Sequence, residues 1–216
     1  MRQFFLLISL VFAVVACNSG SDNADTNADT SSHATHNTSD NNAAGENHMK
    51  AMHDAMDNSM QQIHSMKPTG DPDHDFAMMM KQHHQGAIDM AKAEISGGTD
   101  EQLKQMSQKL IDEQQNENAR FDQFMQGKQP TGNSDYSQKA MGMMTPMSDI
   151  KMESGSLDAM FASMMIPHHQ DAVKMAQEYL KVGKNAEMKQ VAQNIISTQP
   201  KEIQDLQNWL TNHNSH

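Results

Sequence analysis

Apolar positions recur at spacings of three and four along most of the chain. Between residues 48 and 66, Met49, Met52, Met56, Met60 and Ile63 form one stripe, which predicts an amphipathic helix. A second stripe reads Leu103, Met106, Leu110, Gln114, Glu117, Phe121 and Phe124, and a third Met188, Val191, Ile195, Gln199, Glu202, Leu206 and Trp209. Each of the last two follows a helical segment that ends at a glycine stop signal, Gly97-Gly98 and Gly183. Thr99 with Gln102 has the form of a capping box, and Pro200 predicts a kink in the final helix. From Gly127 to Gly155 the pattern breaks at Pro130, Pro146 and several glycines, which predicts a long connection. Two helical hairpins with short internal turns and one long crossover describe an all-α four-helix bundle.

The hairpins are copies. At an offset of 85 residues, Phe76 to Ile95 and Phe161 to Leu180 share Phe, Ala, Met-Met, His-His-Gln, Ala and Met-Ala at matching places. At 100° per residue, Met164, His168, Asp171 and Met175 fall within an arc of about 60°. Met79, His83 and Met90 occupy the equivalent face of the first copy, where Gly86 replaces Asp171. Met80 with His84, and Met165 with His169, form a second pair four residues apart on the adjacent strip. Thioether and imidazole donors in one place suit copper(I) and its neighbours, and copper(II) draws more on imidazole. Zinc does not account for the methionines. The competing reading is a core in which His is hydrogen-bonded and Met fills gaps.

Gln114, Glu117, Gln199 and Glu202 lie on inward stripes. Buried, they need partners, and the histidines can supply them, since a ligating His donates its other ring nitrogen to a carboxylate or carbonyl. An end-of-bundle position reaching solvent is the alternative for Glu117 and Glu202. The first stripe is almost wholly Met, with His53 and His64 beside it, and the crossover holds Met141, Met143, Met144, Met147 and Met152. Both segments fit either accessory metal capture or packing on the bundle.

Composition narrows the partners. With 22 Met, 12 His, one Cys and a formal charge of −11, the chain has nothing to neutralise phosphates, so nucleic acid is disfavoured, whereas cations are concentrated near it. Residues 1–16 carry Arg2 and an apolar run ending Val14-Val15-Ala16 before Cys17. This resembles a lipoprotein signal peptide, with Cys17 as the lipidation point; an uncleaved anchor or plain secretory signal is the rival. The layout is then signal peptide 1–16, polar tether 17–47, Met/His-rich helix 48–67, first hairpin 68–126, Met-rich crossover 127–156 and second hairpin 157–216. His33 and His36 in the tether are read as incidental. The domain is expected to work outside the cytoplasm, held to a bacterial membrane by its lipid.

Thr69-Gly-Asp-Pro-Asp-His-Asp-Phe, His83-His-Gln-Gly-Ala-Ile-Asp-Met-Ala-Lys, Met164-Met-Ile-Pro-His-His-Gln and the Gln199/Glu202 spacing resemble the bacterial ferritin-like family catalogued as domain of unknown function 305. The resemblance spans about residues 68 to 212 and implies a ferritin-like four-helix bundle. Because some members are periplasmic or secreted copper-binding proteins linked to copper and silver tolerance, it implies a similar role here. Its expected ligands are Met79, Met80, His83, His84, Met90, Met164, Met165, His168, His169 and Met175. The first copy departs from the family, with Met80-Lys81-Gln82-His83 where Met-Ile-Pro-His is usual.

The leading expectation is therefore a non-enzymatic protein that sequesters or chaperones copper, Cu(I) above Cu(II), with Ag(I) as a further cargo, and hands it to an unidentified partner. The alternatives are a structural or protein-interaction lipoprotein and, less favoured, a ferritin-like metal oxidase. No Glu has a His three residues later, so the Glu-x-x-His motif of di-iron bundles is missing.

Overall fold

The computed structural model describes residues 38–153 and 155–213, with side chains from residue 45 onward. The signal segment, Cys17, and His33 and His36 lie outside the described residues. The long helices are α1 (Thr38–Ser65), α2 (Pro72–Gly97), α3 (Glu101–Gly127), α5 (Leu157–Val182) and α6 (Ala186–His213), with a short α4 (Tyr136–Met141) and a 3-10 turn (Met147–Asp149) in the crossover. Among the described residues the regular elements are all helical, as the periodicity predicts. α1 starts at Thr38, ten residues earlier than the expected start at 48, so part of the predicted tether is helical. No helix among the described residues is long and apolar enough to cross a membrane.

The two copies meet through α2 and α5, which pack side by side at the centre; α3 backs α2 and α6 backs α5. They run antiparallel, as shown by a carboxylate at each end. Asp73, at the start of α2, accepts from the backbone N–H of Lys184 and Asn185 in the α5–α6 turn and from the Tyr179 hydroxyl at 2.6 Å. Asp158, at the start of α5, accepts from the N–H of Thr99 and Asp100 and from the Thr99 hydroxyl in the α2–α3 turn, all at 2.8 Å. Thr99 is thus committed to α5, and the predicted capping box gives way to Asp100, whose carboxylate accepts from Leu103 N–H at the N-terminus of α3.

The position that is Tyr179 in the second copy is Glu94 in the first, 85 residues earlier. Glu94 is fully buried, and neither of its oxygens accepts a hydrogen bond. Burial, then the adjoining Asp158, push its carboxyl up to about 8, so near neutrality it is an O–H donor to Asp158, as Tyr179 is to Asp73. Gly98 and Gly183 end their helices for a steric reason and not through a left-handed φ. Their φ values are −68° and −62°. A Cβ would come within 2.3 Å of Glu94 at the one and of the Tyr179 ring at the other.

The outer faces of α2 and α5 are covered differently. α1 lies on α2: Met52, Met56 and Ile63 are buried, and the Ser59 hydroxyl donates to the Gln82 carbonyl. A Cβ on Gly86 would stand 2.6 Å from the Ser59 Cβ, so the glycine at this place is what lets α1 approach. On α5 the equivalent Asp171 holds the crossover, accepting from the Thr145 N–H and hydroxyl at 2.6 and 2.9 Å. Asp171 is therefore a clamp for the crossover, although its helical phase had grouped it with Met164, His168 and Met175. α6 continues through Pro200 as one helix.

The Glu94 pair makes stability fall with pH. Its folded pKa stands above the ordinary carboxyl value, so the native state holds a proton that the unfolded chain gives up; this advantage is full below about pH 4.5 and is lost as pH rises through 8. Between about pH 6 and pH 9, urea unfolding should show a loss of roughly 2 kcal/mol from this group. Glu94→Gln, which keeps an N–H donor for Asp158, should flatten that decline.

Candidate metal centre

Midway along the central pair, at the twelfth residue of each helix, His83 and His168 face one another with ring centroids 3.7 Å apart and planes at 35°. Both residues are 2 % exposed. Neither ring nitrogen of His168, nor Nδ1 of His83, has a protein hydrogen-bond partner. Burial, and then the neighbouring imidazoles, lower both side chains well below the ordinary histidine value, so they are neutral and carry free lone pairs.

His84 and His169 flank this pair and turn toward the outer helices. Nε2 of His84 donates to Glu117 Oε2 at 2.8 Å, and Nε2 of His169 lies 3.3 Å from Glu202 Oε2. These are the carboxylates that their stripe positions suggested. Each leaves its imidazole's Nδ1 buried and unpartnered, the tautomer that a carboxylate fixes on a metal-binding histidine. Gln114 and Gln199 are also buried, yet their side-chain oxygens have no protein partner; the histidines bond to the carboxylates instead. Glu202 carries one contact the spacing did not reveal. Lys109 of α3 reaches across to Glu202 Oε1 at 3.1 Å while also pairing with Glu113. Burial would raise the Glu202 carboxyl, but the hydrogen bond from His169 and the Lys109 ammonium beside it outweigh that and hold it at about 2. The repeat counterpart of Lys109 is Asn194, so only one of the two carboxylates is locked by a cation.

The six methionines of the duplicated motifs are all buried, but they do not form one face. Met90, Met164 and Met165 belong to one apolar cluster with Phe161, Leu110 and Trp209, whereas Met79, Met80 and Met175 belong to another with Phe76, Phe121 and Tyr179. Antiparallel packing explains the exchange: Met90 meets the methionine pair of the other copy, and Met175 does the same in reverse. The thioethers thus lie as two groups of three, one toward each end of the central pair. Among the described residues no three His, Cys, Asp or Glu side chains are grouped as a metal site; imidazole and thioether, the donor types buried along this helix pair, are together the donor set of a soft ion.

The accessory residues divide. Met52 and Met56 are covered by the bundle, Met49 and Met60 are half-buried against it, His53 pairs with Asp57 and His64 bonds the Met60 carbonyl. In the crossover, Met144 is buried, Met141, Met143 and Met147 are half-buried, and Met152 is exposed. The α1 stripe packs on the bundle through Met52, Met56 and Ile63.

A groove between α3 and α6 reaches His169, which flanks the central pair. One hollow of about 410 Å³ is lined by Met106, Lys109, Met165, His169, Glu202 and Leu206 among others. A second of about 290 Å³ is lined by Gln114, Glu117, Gln199 and Glu202.

A family model described as a domain of unknown function, DUF305, matches residues 21–125 and 122–210. The chain belongs to this family. Structures of CopM are similar to it: the Cu(II)-bound form at 31 % identity and TM-score 0.52, covering 65 % of this chain and 97 % of that one; the Cu(I)-bound form at 29 % and 0.52, covering 65 % and 96 %; and a silver-soaked form at 30 % and 0.51, covering 65 % and 95 %. No curated protein sequence matches. Membership in the DUF305 family accounts for the shared bundle.

Because the folded pKa of Glu202 is below the ordinary carboxyl value, its contribution is complete above about pH 4.5 and is lost as pH falls toward 2. Glu202→Gln should destabilise by roughly 1–2 kcal/mol near neutrality, and the gap to the parent protein should close in unfolding curves measured toward pH 3.

Proposed function

We propose that this protein binds copper and silver ions as cargo outside the cytoplasm, holding them through histidine and methionine and releasing them without bond chemistry. The observation that carries the reading is the buried, neutral His83–His168 pair, with both ring nitrogens of His168 and Nδ1 of His83 unpartnered, between two groups of thioethers. Leaving buried polar atoms unpaired costs about 1–3 kcal/mol each, a cost that a bound ion would offset. The likeness to CopM, whose structures carry Cu(I), Cu(II) and silver, supports the same choice of ions.

In this reading His83 and His168 are the primary nitrogen donors, and His84 and His169 offer Nδ1 while Glu117 and Glu202 fix their tautomers. Met79, Met80 and Met175 on one side, and Met90, Met164 and Met165 on the other, supply sulfur. Thioethers favour Cu(I) and Ag(I), while the imidazoles allow Cu(II). Ions reach the centre by the α3–α6 groove, whose lining includes His169 and Met165. A lipid on Cys17 would hold the domain at a bacterial membrane, with the segment before α1 as its tether.

The test is a Cu(I) titration of the purified protein against a colorimetric chelator, beside the double variant His83→Leu/His168→Leu, which retains apolar packing. Affinity should fall at least about tenfold, equivalent to about 1.4 kcal/mol, with helicity unchanged by circular dichroism. Unaltered affinity in a folded variant would reject the histidine centre.

A further inference from the structure

Three methionines have no part in the duplicated motif. Met66 follows α1, Met78 lies on α2 where the second copy has Ser163, and Met141 ends α4 in the crossover. The fold brings them together. With Met79 they line a pit of about 10 Å³ between the end of α1, the start of α2 and α4, closed by Ile63 and Pro68. That is about the space of one water-sized sphere. Met79 is buried, but Met66, Met78 and Met141 are each half-exposed, unlike the covered methionines around the histidines.

We infer that this pit is a second, histidine-free site for one monovalent soft cation, Cu(I) or Ag(I), held by thioethers alone. The donors come from three separate elements, and their only shared feature is the sulfur. The pit has neither imidazole nor thiolate in its lining and only one carboxylate, Asp75, already engaged by Thr69 and Gly70, so its donor set is poor for Cu(II) and Zn(II). The Asp75 carboxylate is also part of the lining. It accepts from the Thr69 N–H and hydroxyl and from the Gly70 N–H, so it is held in place, where its negative charge attracts a cation without serving as ligand. Lys67, the opposing charge at the rim, is exposed and free to swing into solvent. Whereas His83 and His168 are buried at mid-bundle, the half-exposed Met66, Met78 and Met141 let this site exchange its ion with solvent directly. It shares its metal with the proposed function, but its ligands are Met66, Met78 and Met141; of the methionines in its lining only Met79 also belongs to the histidine centre.

The experiment titrates Ag(I) into the full chain carrying ¹³C-labelled methionine methyl groups and follows them by NMR. The methyl signals of Met66, Met78 and Met141 should shift together and saturate at one equivalent. In Met66→Leu/Met78→Leu/Met141→Leu, a nearly volume-conserving change, total Ag(I) uptake should fall by one equivalent while Cu(II) uptake is unchanged. In His83→Leu/His168→Leu the three shifts should persist. Uptake that stays the same in the triple leucine variant, or signals from these methionines that do not move while others do, would overturn the second site and leave the histidine centre intact. Persistence of the pit shifts in a protein whose uptake is insensitive to the histidine variant would support the second site and reject the centre.

Discussion

The arrangement of the bundle depends on the register of two antiparallel helices, and that register is held by two carboxylates. Asp73 and Asp158 each reach from the start of one central helix into the turn that ends the other, and each is fixed by backbone N–H groups and a hydroxyl. Charge-assisted bonds of this kind are among the stronger ones available to a folded chain. With both ends clasped, His83 and His168 are set opposite each other at mid-helix. A slip of one residue would turn an imidazole away by about 100° and part the rings.

The clasps also show how a duplicated sequence makes a nearly two-fold object whose halves differ in detail. Tyr179 and Glu94 occupy equivalent places and both donate a proton to an aspartate, one by a phenol and the other by a carboxyl that burial keeps neutral. Gly86 and Asp171 are equivalent as well, yet one admits α1 and the other binds the crossover. Lys109 locks Glu202, whereas Asn194 stands at the matching place near Glu117. The last two differences fall where a segment outside the repeat covers the bundle and where the two outer helices face each other.

Much of this was legible in the sequence. The period of the stripes gave the helices, the repeat gave the two hairpins, and the four-residue pairing of Met with His gave the buried histidine motif. That histidines would partner Glu117 and Glu202 followed from inward polar positions that needed partners; which histidine takes which carboxylate is seen only in the fold. What could not be read was anything that depended on how the copies cross. Helical phase put Met79 and Met90 on one face of one helix; antiparallel packing sent them to different clusters. Thr99 looked like a cap because local spacing is blind to an aspartate that arrives from Asp158, far along the chain. The α1 stripe was ambiguous because a methionine that packs and a methionine that binds have the same periodicity; the structure shows that Met52 and Met56 pack. Lys109 gave no signal beyond its pairing with Glu113 four residues on.

The deep burial of the central thioethers has a consequence of a different kind. Methionine is converted by peroxides to its sulfoxide, a polar group that disrupts an apolar core, and susceptibility follows exposure. In this fold the six thioethers of the motifs are at most 2 % exposed, while half-exposed ones such as Met66, Met78 and Met141 lie at the surface. Oxidants would therefore spend themselves first on the outer sulfurs. The bundle keeps its inner sulfurs reduced by geometry alone, without calling on a repair enzyme for them.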